Sequence, residues 1–205
     1  RKIKSPWGEP SAPLRVGEIA GTPVVFLSRH DKGHRLSPSD INYRANIDVL
    51  KRAGVTDLVS LSACGSFKQE LPPGTFVLVD QFVDRTFNRA SSFFGRGCVA
   101  HVSMAHPVSP RLRLHLAEAA EAENIAVARS GTYVCMEGPQ FSTLAESLTY
   151  KQLAAWGANI QKATGERKLG FPAGPKGLLY RFLQGSLYPA YTGGVVRTFK
   201  SPAAE

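Results

Sequence analysis

Over the first three quarters of the chain, short apolar runs rich in β-branched residues alternate with stretches whose apolar positions recur every three or four residues. That alternation predicts an α/β domain. The run TPVVFL at 22–27 follows Gly21 and reads as a buried strand. It delivers Ser28, Arg29 and His30 at its C-terminal end, the edge where open α/β sheets bind ligands. In residues 37–54, Ser39 is a candidate N-cap and Asp40 stands in the first turn. Ile41, Ala45 and Val49 are spaced by four along one face and Gly54 closes the C-terminus, so an amphipathic helix is predicted.

Residues 57–62 (DLVSLS) read as a second buried strand running into the small residues Ala63, Cys64, Gly65 and Ser66. After a Pro-Gly turn, a strand is expected over 75–82, then a loop with several arginines and a short strand at 99–104. Residues 110–124 predict a helix with Leu112, Leu116 and Ala119 or Ala120 inward and Glu118, Glu121 and Glu123 outward. Strands follow at 125–128 and 131–136, then a helix at 143–156. Beyond Ile160 a Gly or Pro interrupts every few residues, which predicts an irregular segment. No internal repeat occurs.

A chain of 205 residues with 43% hydrophobic and 20% charged positions can bury a sizeable core, which excludes a disulfide-stapled mini-protein and wholesale disorder. Charge changes the picture. Against 16 acidic residues stand 25 basic ones, a net +9 that favours anionic partners. Residues 1–160 hold 18 basic and 14 acidic side chains, residues 161–205 hold 7 and 2, so more than half of the excess lies in the last 45 positions. An anion recognised by the body must therefore be recognised locally. The three cysteines, Cys64, Cys98 and Cys135, are widely spaced and read as free thiols of a reducing cytoplasm, without the close pairs of a zinc site. Neither a membrane-spanning apolar run nor a signal-peptide pattern is present, and a cytoplasmic protein is expected. Because the sequence starts at Arg1, a processed product or a fragment is expected.

Three clusters can carry chemistry. Ser28 to Arg35 (SRHDKGHR) places a planar guanidinium, Arg29, beside His30, with Lys32 and Arg35 adding positive potential. These are the residue types that hold an oxyanion; a solvated basic turn is the alternative. Ser62 to Ser66 (SACGS) offers hydroxyls and backbone N–H groups that could close around phosphate, or else a tight strand-to-helix connection. Met136 to Phe141 (MEGPQF), followed by Ser142, Thr143 and Glu146, presents a ring suited to stacking on a sugar or base, unless Phe141 is plain core. His101 and His106 are not spaced as metal ligands and read as structural unless a neighbouring subunit places them in a pocket. A G-x-S-x-G nucleophile elbow and the glycine-rich dinucleotide and P-loop fingerprints are missing, which disfavours serine hydrolysis and those nucleotide sites.

Together, SPWGEPSAPLRVGEI, FLSRHDKGHRLSPSDINYRANIDVLKRAGV, SLSACGSFKQELPPGTFVLVDQFVDRT, HVSMAHP and GTYVCMEGPQFSTLAES resemble, in order from about Ser5 to Ile160, the 5′-methylthioadenosine phosphorylases and their relatives in the purine nucleoside phosphorylase family. The resemblance implies a mixed β-sheet flanked by helices over residues 1–160, incomplete at both ends, with residues 161–205 a divergent basic tail. It implies phosphorolysis of a purine nucleoside to free purine and 5-methylthioribose 1-phosphate. Inorganic phosphate is then the co-substrate, with no metal or organic cofactor.

By the same resemblance Arg29, His30, Ser62 and Ala63 contact phosphate, and His34, Phe141 and Ser142 line the ribose pocket. His101 is then lent to a neighbouring subunit, which implies a homotrimer. Asp31 replaces the family's usual glycine after Arg-His and sets a negative charge beside that pair. Three alternatives stay open: phosphorolysis of methylthioinosine or another 6-oxopurine nucleoside; an inactive homologue that binds phosphate or joins intact subunits; and nucleic-acid binding by the aromatic, basic tail, the least favoured of them.

Overall fold

The computed structural model describes residues 1–153 and 194–197. Its chain divides into two units, one containing Arg1–Cys64, Asn88–His101 and the strand at 194–197, the other Gly65–Phe87 and residues 102–153. Strands and helices are mixed, as expected, and the described strands form an antiparallel three-stranded sheet in the first unit and two parallel pairs in the second. Among the described residues no helix is long and apolar enough to cross a membrane.

In the first unit, β1 (Arg15–Ile19) and β2 (Thr22–Leu27) form a hairpin in register Arg15 to Phe26 through Ile19 to Thr22. The two-residue turn Ala20–Gly21 has φ of 47° and 75°, the left-handed pair that a tight hairpin requires. β1 is exposed along its whole length, which is why no buried apolar run announces it. The expected strand at 22–27 is β2, with Val25 and Leu27 buried.

Helix α1 (Tyr43–Arg52) supplies much of this unit's core, with Ala45, Ile47, Val49 and Leu50 buried. It begins later than expected. Ser37 Oγ donates to Asp40 Oδ2 at 2.6 Å and Asp40 N to Ser37 O at 3.1 Å, so the segment holding Ser39 is a turn. Asn42 is the N-cap, its Oδ1 accepting Ala45 N at 3.1 Å. The predicted close is correct: Gly54 has φ of 87°, its N–H donates to Lys51 O at 3.0 Å, and Val55 folds back to donate to Leu50 O at 3.1 Å. Asn46, buried in α1, accepts Ser11 N at 2.8 Å and donates to Ser11 Oγ at 2.9 Å, which fastens the helix to the N-terminal segment.

The strand expected at 57–62 is not formed. An apolar run becomes a strand only where a neighbour completes its hydrogen-bond ladder, and no such ladder forms there among the described residues; Ser60 and Leu61 are exposed. The short strand at 99–104 is also absent, because Val99 is 81% exposed and the run has no buried face to hold in a sheet. Of the segment expected to be irregular, residues 194–197 form β7 (Gly194–Arg197), antiparallel to β2. The rest of that segment, and the predicted end of the helix at 143–156, lie outside the described residues.

In the second unit, β3 (Phe76–Val77) pairs with β5 (Val127–Ala128) and β4 (Gln81–Arg85) with β6 (Thr132–Met136), both in parallel. Phe76 faces Val127 and Gln81 faces Thr132, so the two short ladders keep one register and form a single interrupted pair of strands. The interruption divides the strand expected at 75–82. At the gap, Asp80 N donates to Gly131 O at 3.1 Å, but Gly131 N donates to the Asp80 side chain, Oδ1 at 3.2 Å, instead of to a backbone carbonyl.

Helix α2 (Pro110–Ala122) starts on the N-cap Ser109 with proline in its first turn. Its inward face runs through the half-buried Leu112 and Arg113, the buried Ala117 and the half-buried Ala120, so Leu112 and Ala120 of the expected stripe are inward while Leu114 and Leu116 are exposed. Arg113 is anchored on this face: its Nη2 donates to Arg129 O and lies 3.8 Å from Asp80 Oδ2, beside the strand interruption.

A Cβ built on Gly131 stands 2.8 Å from Val77 Cγ1. Gly131→Ala is therefore expected to destabilise the protein by about 1–3 kcal/mol. Urea unfolding measures the loss, and Val77→Ala in the same chain is expected to recover part of it.

Candidate functional site

The alternation of β2 carries past its end. Val25 and Leu27 face the core and Arg29, two residues on, continues that face at 4% exposure, with His30 beside it at 3%. Backbone bonds close the turn that follows. Asp31 N donates to Ser28 O at 3.1 Å, while Arg35 N and Leu36 N both donate to His30 O, at 2.9 and 3.1 Å. Ser28 Oγ donates to Asp31 O at 2.9 Å. Asp31 and His34 take left-handed φ values of 63° and 58° within this turn.

The acidic residue beside the Arg-His pair is engaged elsewhere. The Asp31 carboxylate accepts Lys32 N at 2.6 Å and the Arg35 guanidinium, and these bonds hold its carboxyl below the usual carboxylate range. Arg35, expected to add positive potential to the pair, is thus matched by Asp31.

The His30 ring lies with Nδ1 2.7 Å from the Leu36 carbonyl. A carbonyl only accepts, so Nδ1 carries a proton toward it, and Nε2 is buried. Burial lowers the pKa of His30 despite the opposing bond to Leu36, and electrostatic interaction with Arg29, His34 and Arg89 lowers it further. His34 stacks on His30 with ring centroids 4.3 Å apart and planes 12° from parallel. The guanidinium nitrogens Nη1 and Nη2 of Arg29 are shielded from solvent, so an oxyanion reaching them displaces little water. The arrangement can hold a phosphate-like anion that accepts from Arg29 and donates a P–O–H proton to His30 Nε2.

Arg29, His30 and His34 thus converge on one turn. Ser62, half-buried, and Ala63, exposed, lie on a separate stretch of the same unit, and an exposed His101 ends the segment that begins at Asn88. Phe141 and Ser142 belong to the second unit, after β6. Phe141 is 92% exposed, which removes the alternative that it is core. Ser142 Oγ lies 2.7 Å from Ser147 Oγ at the start of α3, a helix that runs from 144 through the described residues to 153. Thr143 and Glu146 form a reciprocal cap there: Thr143 Oγ1 accepts Glu146 N at 3.2 Å, while Glu146 Oε2 accepts Thr143 N at 2.8 Å and the Thr143 hydroxyl at 3.0 Å, and these last two bonds hold the Glu146 carboxyl below its usual range. Glu137, buried at the end of β6, accepts Phe87 N at 2.6 Å and joins the exits of the two parallel strands.

Sequence reasoning missed a group of cations and aromatic rings beside the turn. The Arg89 guanidinium lies 5.5 Å from the centre of the Tyr43 ring, and Tyr43 OH donates to Pro38 O at 2.7 Å. Arg44 lies 4.7 Å over Trp7 and donates to Ser92 O at 3.4 Å; Trp7 meets Phe93 edge-on at 5.4 Å. The arginines of the loop after β4 were visible as a cluster, but the ring that meets Arg89, Tyr43 on α1, lies more than forty positions earlier, a pairing no local pattern encodes.

Compared with known families, residues 2–159 match the Phosphorylase superfamily, and the chain belongs to that superfamily. The resemblance read from the motifs is also borne out by individual relatives. Over 149 residues, 73% of this chain, it is 88% identical to an S-methyl-5′-thioadenosine phosphorylase of Bradyrhizobium diazoefficiens, covering 51% of that protein. Over 159 residues it is 60% identical to the protein of the same name from Cereibacter sphaeroides, covering 54% of it. The chain spans about half the length of the curated relatives it matches. Among solved structures, the methylthioadenosine phosphorylase of Schistosoma mansoni in complex with tubercidin is 36% identical with a TM-score of 0.72, over 75% of this chain and 62% of that one.

His30 is expected to titrate below 6.5, its ordinary value, because burial disfavours the imidazolium. With the pKa lower in the folded state than in the unfolded, the stability from keeping His30 neutral is complete above about 6.5 and is lost as pH falls through the lower folded value. Imidazole NMR resonances followed from pH 8 to 5 measure this. A His30 midpoint at or above 6.5 contradicts the assignment.

Proposed function

We propose that the chain acts in phosphorolysis of the N-glycosidic bond of 5′-methylthioadenosine, releasing adenine and 5-methylthioribose 1-phosphate. The observation that carries this reading is the convergence of buried Arg29 and His30 at the C-terminal end of β2. Identity to proteins named for this activity supports the choice of nucleoside.

The chemistry needs placement more than covalent help from the protein. As the C1′–N9 bond lengthens, positive charge develops on the sugar, and a bound phosphate both stabilises that charge and stands ready to attack C1′. Arg29 holds two phosphate oxygens as a planar fork. His30 receives the hydrogen of a monohydrogen phosphate at Nε2, which leaves the other oxygens to carry charge toward the sugar. Asp31, matched by Arg35, leaves the anion's environment positive.

Residues 1–160 are the phosphorylase-like part in this reading, and residues 161–205 are a divergent segment of which 194–197 pair with β2. Ser62 and Ala63 are assigned to phosphate on the strength of the resemblance, as are His34, Phe141 and Ser142 to the ribose pocket. His101, exposed in this chain, suits a residue lent to a neighbouring subunit of a homotrimer in the cytoplasm.

Incubation of the purified chain with 5′-methylthioadenosine is expected to release adenine only when inorganic phosphate is present. Arg29→Ala is expected to lower that rate about 100- to 1000-fold, the cost of removing one preorganised charge-stabilising donor. Release that is independent of phosphate, or no release from a folded sample, overturns the reading. Calorimetric phosphate binding without product would put the binding-only alternative in its place.

A further inference from the structure

We propose that Arg89 is a further anion-binding residue of the Arg29–His30 site, held in place by the ring of Tyr43, and that the site takes a dianionic oxyanion of the phosphate class; this rests on reading the turn after β2 as the phosphate site. Three observations carry it. First, Arg89 is placed by the fold and does not sweep through solvent. Its guanidinium lies 5.5 Å from the Tyr43 ring centre, and Tyr43 is buried in the first turn of α1. The Tyr43 hydroxyl donates to Pro38 O, two residues beyond the Leu36 carbonyl that accepts the His30 proton. One short stretch of backbone therefore locates both the ring that carries Arg89 and the imidazole of His30.

Second, the loop that bears Arg89 is fastened on its far side. Arg44, next to Tyr43 on α1, donates to Ser92 O at 3.4 Å and lies over Trp7, while Trp7 packs edge-on against Phe93. Adjacent residues of one helix thus hold two points of the loop, and the position of Arg89 is set in advance of any ligand. Third, the charge of Arg89 acts on His30 in the same sense as those of Arg29 and His34. Two arginines, Arg29 and Arg89, thus act on the same imidazole, and Asp31, the acidic residue within the turn, is turned toward Arg35 and Lys32 N. Each further cation raises the preference for a dianion over a monoanion, since repulsion among the cations falls in proportion to the charge brought in.

The test is titration of the full chain with inorganic phosphate, followed through the His30 imidazole resonances, which need no turnover. In the wild type, phosphate is expected to move the His30 midpoint upward. Arg89→Gln is expected to weaken phosphate about tenfold through loss of one charge-assisted contact, and to raise the His30 midpoint of the phosphate-free protein. Arg89→Lys keeps the charge and gives up the planar fork, with an expected loss of about threefold and an unchanged phosphate-free midpoint. Wild-type affinity in both variants overturns the role of Arg89, as does wild-type affinity in Arg89→Lys alone should Arg89→Gln fail to fold. A wild-type chain whose His30 resonances ignore phosphate overturns the phosphate site itself, an outcome distinct from failure of the Arg89 assignment.

Discussion

Two adjacent ionisable side chains, Arg29 and His30, leave water together at the end of β2, and the first unit is arranged around that constraint. An ionisable group in the interior must either have its polar atoms satisfied or give up its charge. His30 gives one ring nitrogen to the Leu36 carbonyl, and burial disfavours its charged form. For that carbonyl to be within reach, the chain must reverse within six residues, which explains the crowded backbone bonds to His30 O and the left-handed residues Asp31 and His34. Asp31, at a position where an unbranched left-handed residue suffices for the path, uses its carboxylate to tie down Arg35 and leaves the Arg29 side of the turn to cations.

The same constraint accounts for the polar anchoring of α1. Asn42 caps the helix while its Nδ2 donates to Trp7 O at 2.8 Å, and Asn46 binds Ser11 through both ends of its amide. Two asparagines on successive turns hold the N-terminal segment against the helix, and that segment brings Trp7 to Arg44 and Phe93. A purely apolar helix face would bury as much area but would leave the rotation of α1 loosely defined. With the amides satisfied only in one register, Tyr43 and Arg44 are aimed at the loop beside the turn.

Much of this was legible in the chain itself, and for identifiable reasons. β2 and α1 are marked by local features: β-branched alternation in TPVVFL, apolar residues every four positions at Ile41, Ala45 and Val49, and Gly54 at the helix end. Arg29 and His30 stood out because chemistry-bearing residues followed a strand. What was hidden depends on partners distant in sequence. The run at 57–62 has strand composition without a ladder, and β1 has a ladder without a buried face. On α2 a long polar side chain, Arg113, reaches a carbonyl in another element, and Leu116 of the expected apolar stripe is left exposed. Arg89 belongs to the same class, since its meaning comes from a ring on a helix far upstream.

The common register of the two short parallel ladders carries a consequence for how the chain comes together. Phe76 and Val127 must meet across a loop of about fifty residues, whose closure alone costs roughly 3–4 kcal/mol of chain entropy. Neither β3 nor β4 can gain its hydrogen bonds until α2 and then β5 and β6 have left the ribosome, so during synthesis Phe76 and its neighbours wait without their sheet. The hairpin β1–β2, closed by two residues, faces no such delay. The order of assembly is therefore written into the topology: the hairpin can form early, whereas the parallel pair, with the sealing bond from Phe87 N to Glu137, can only form late.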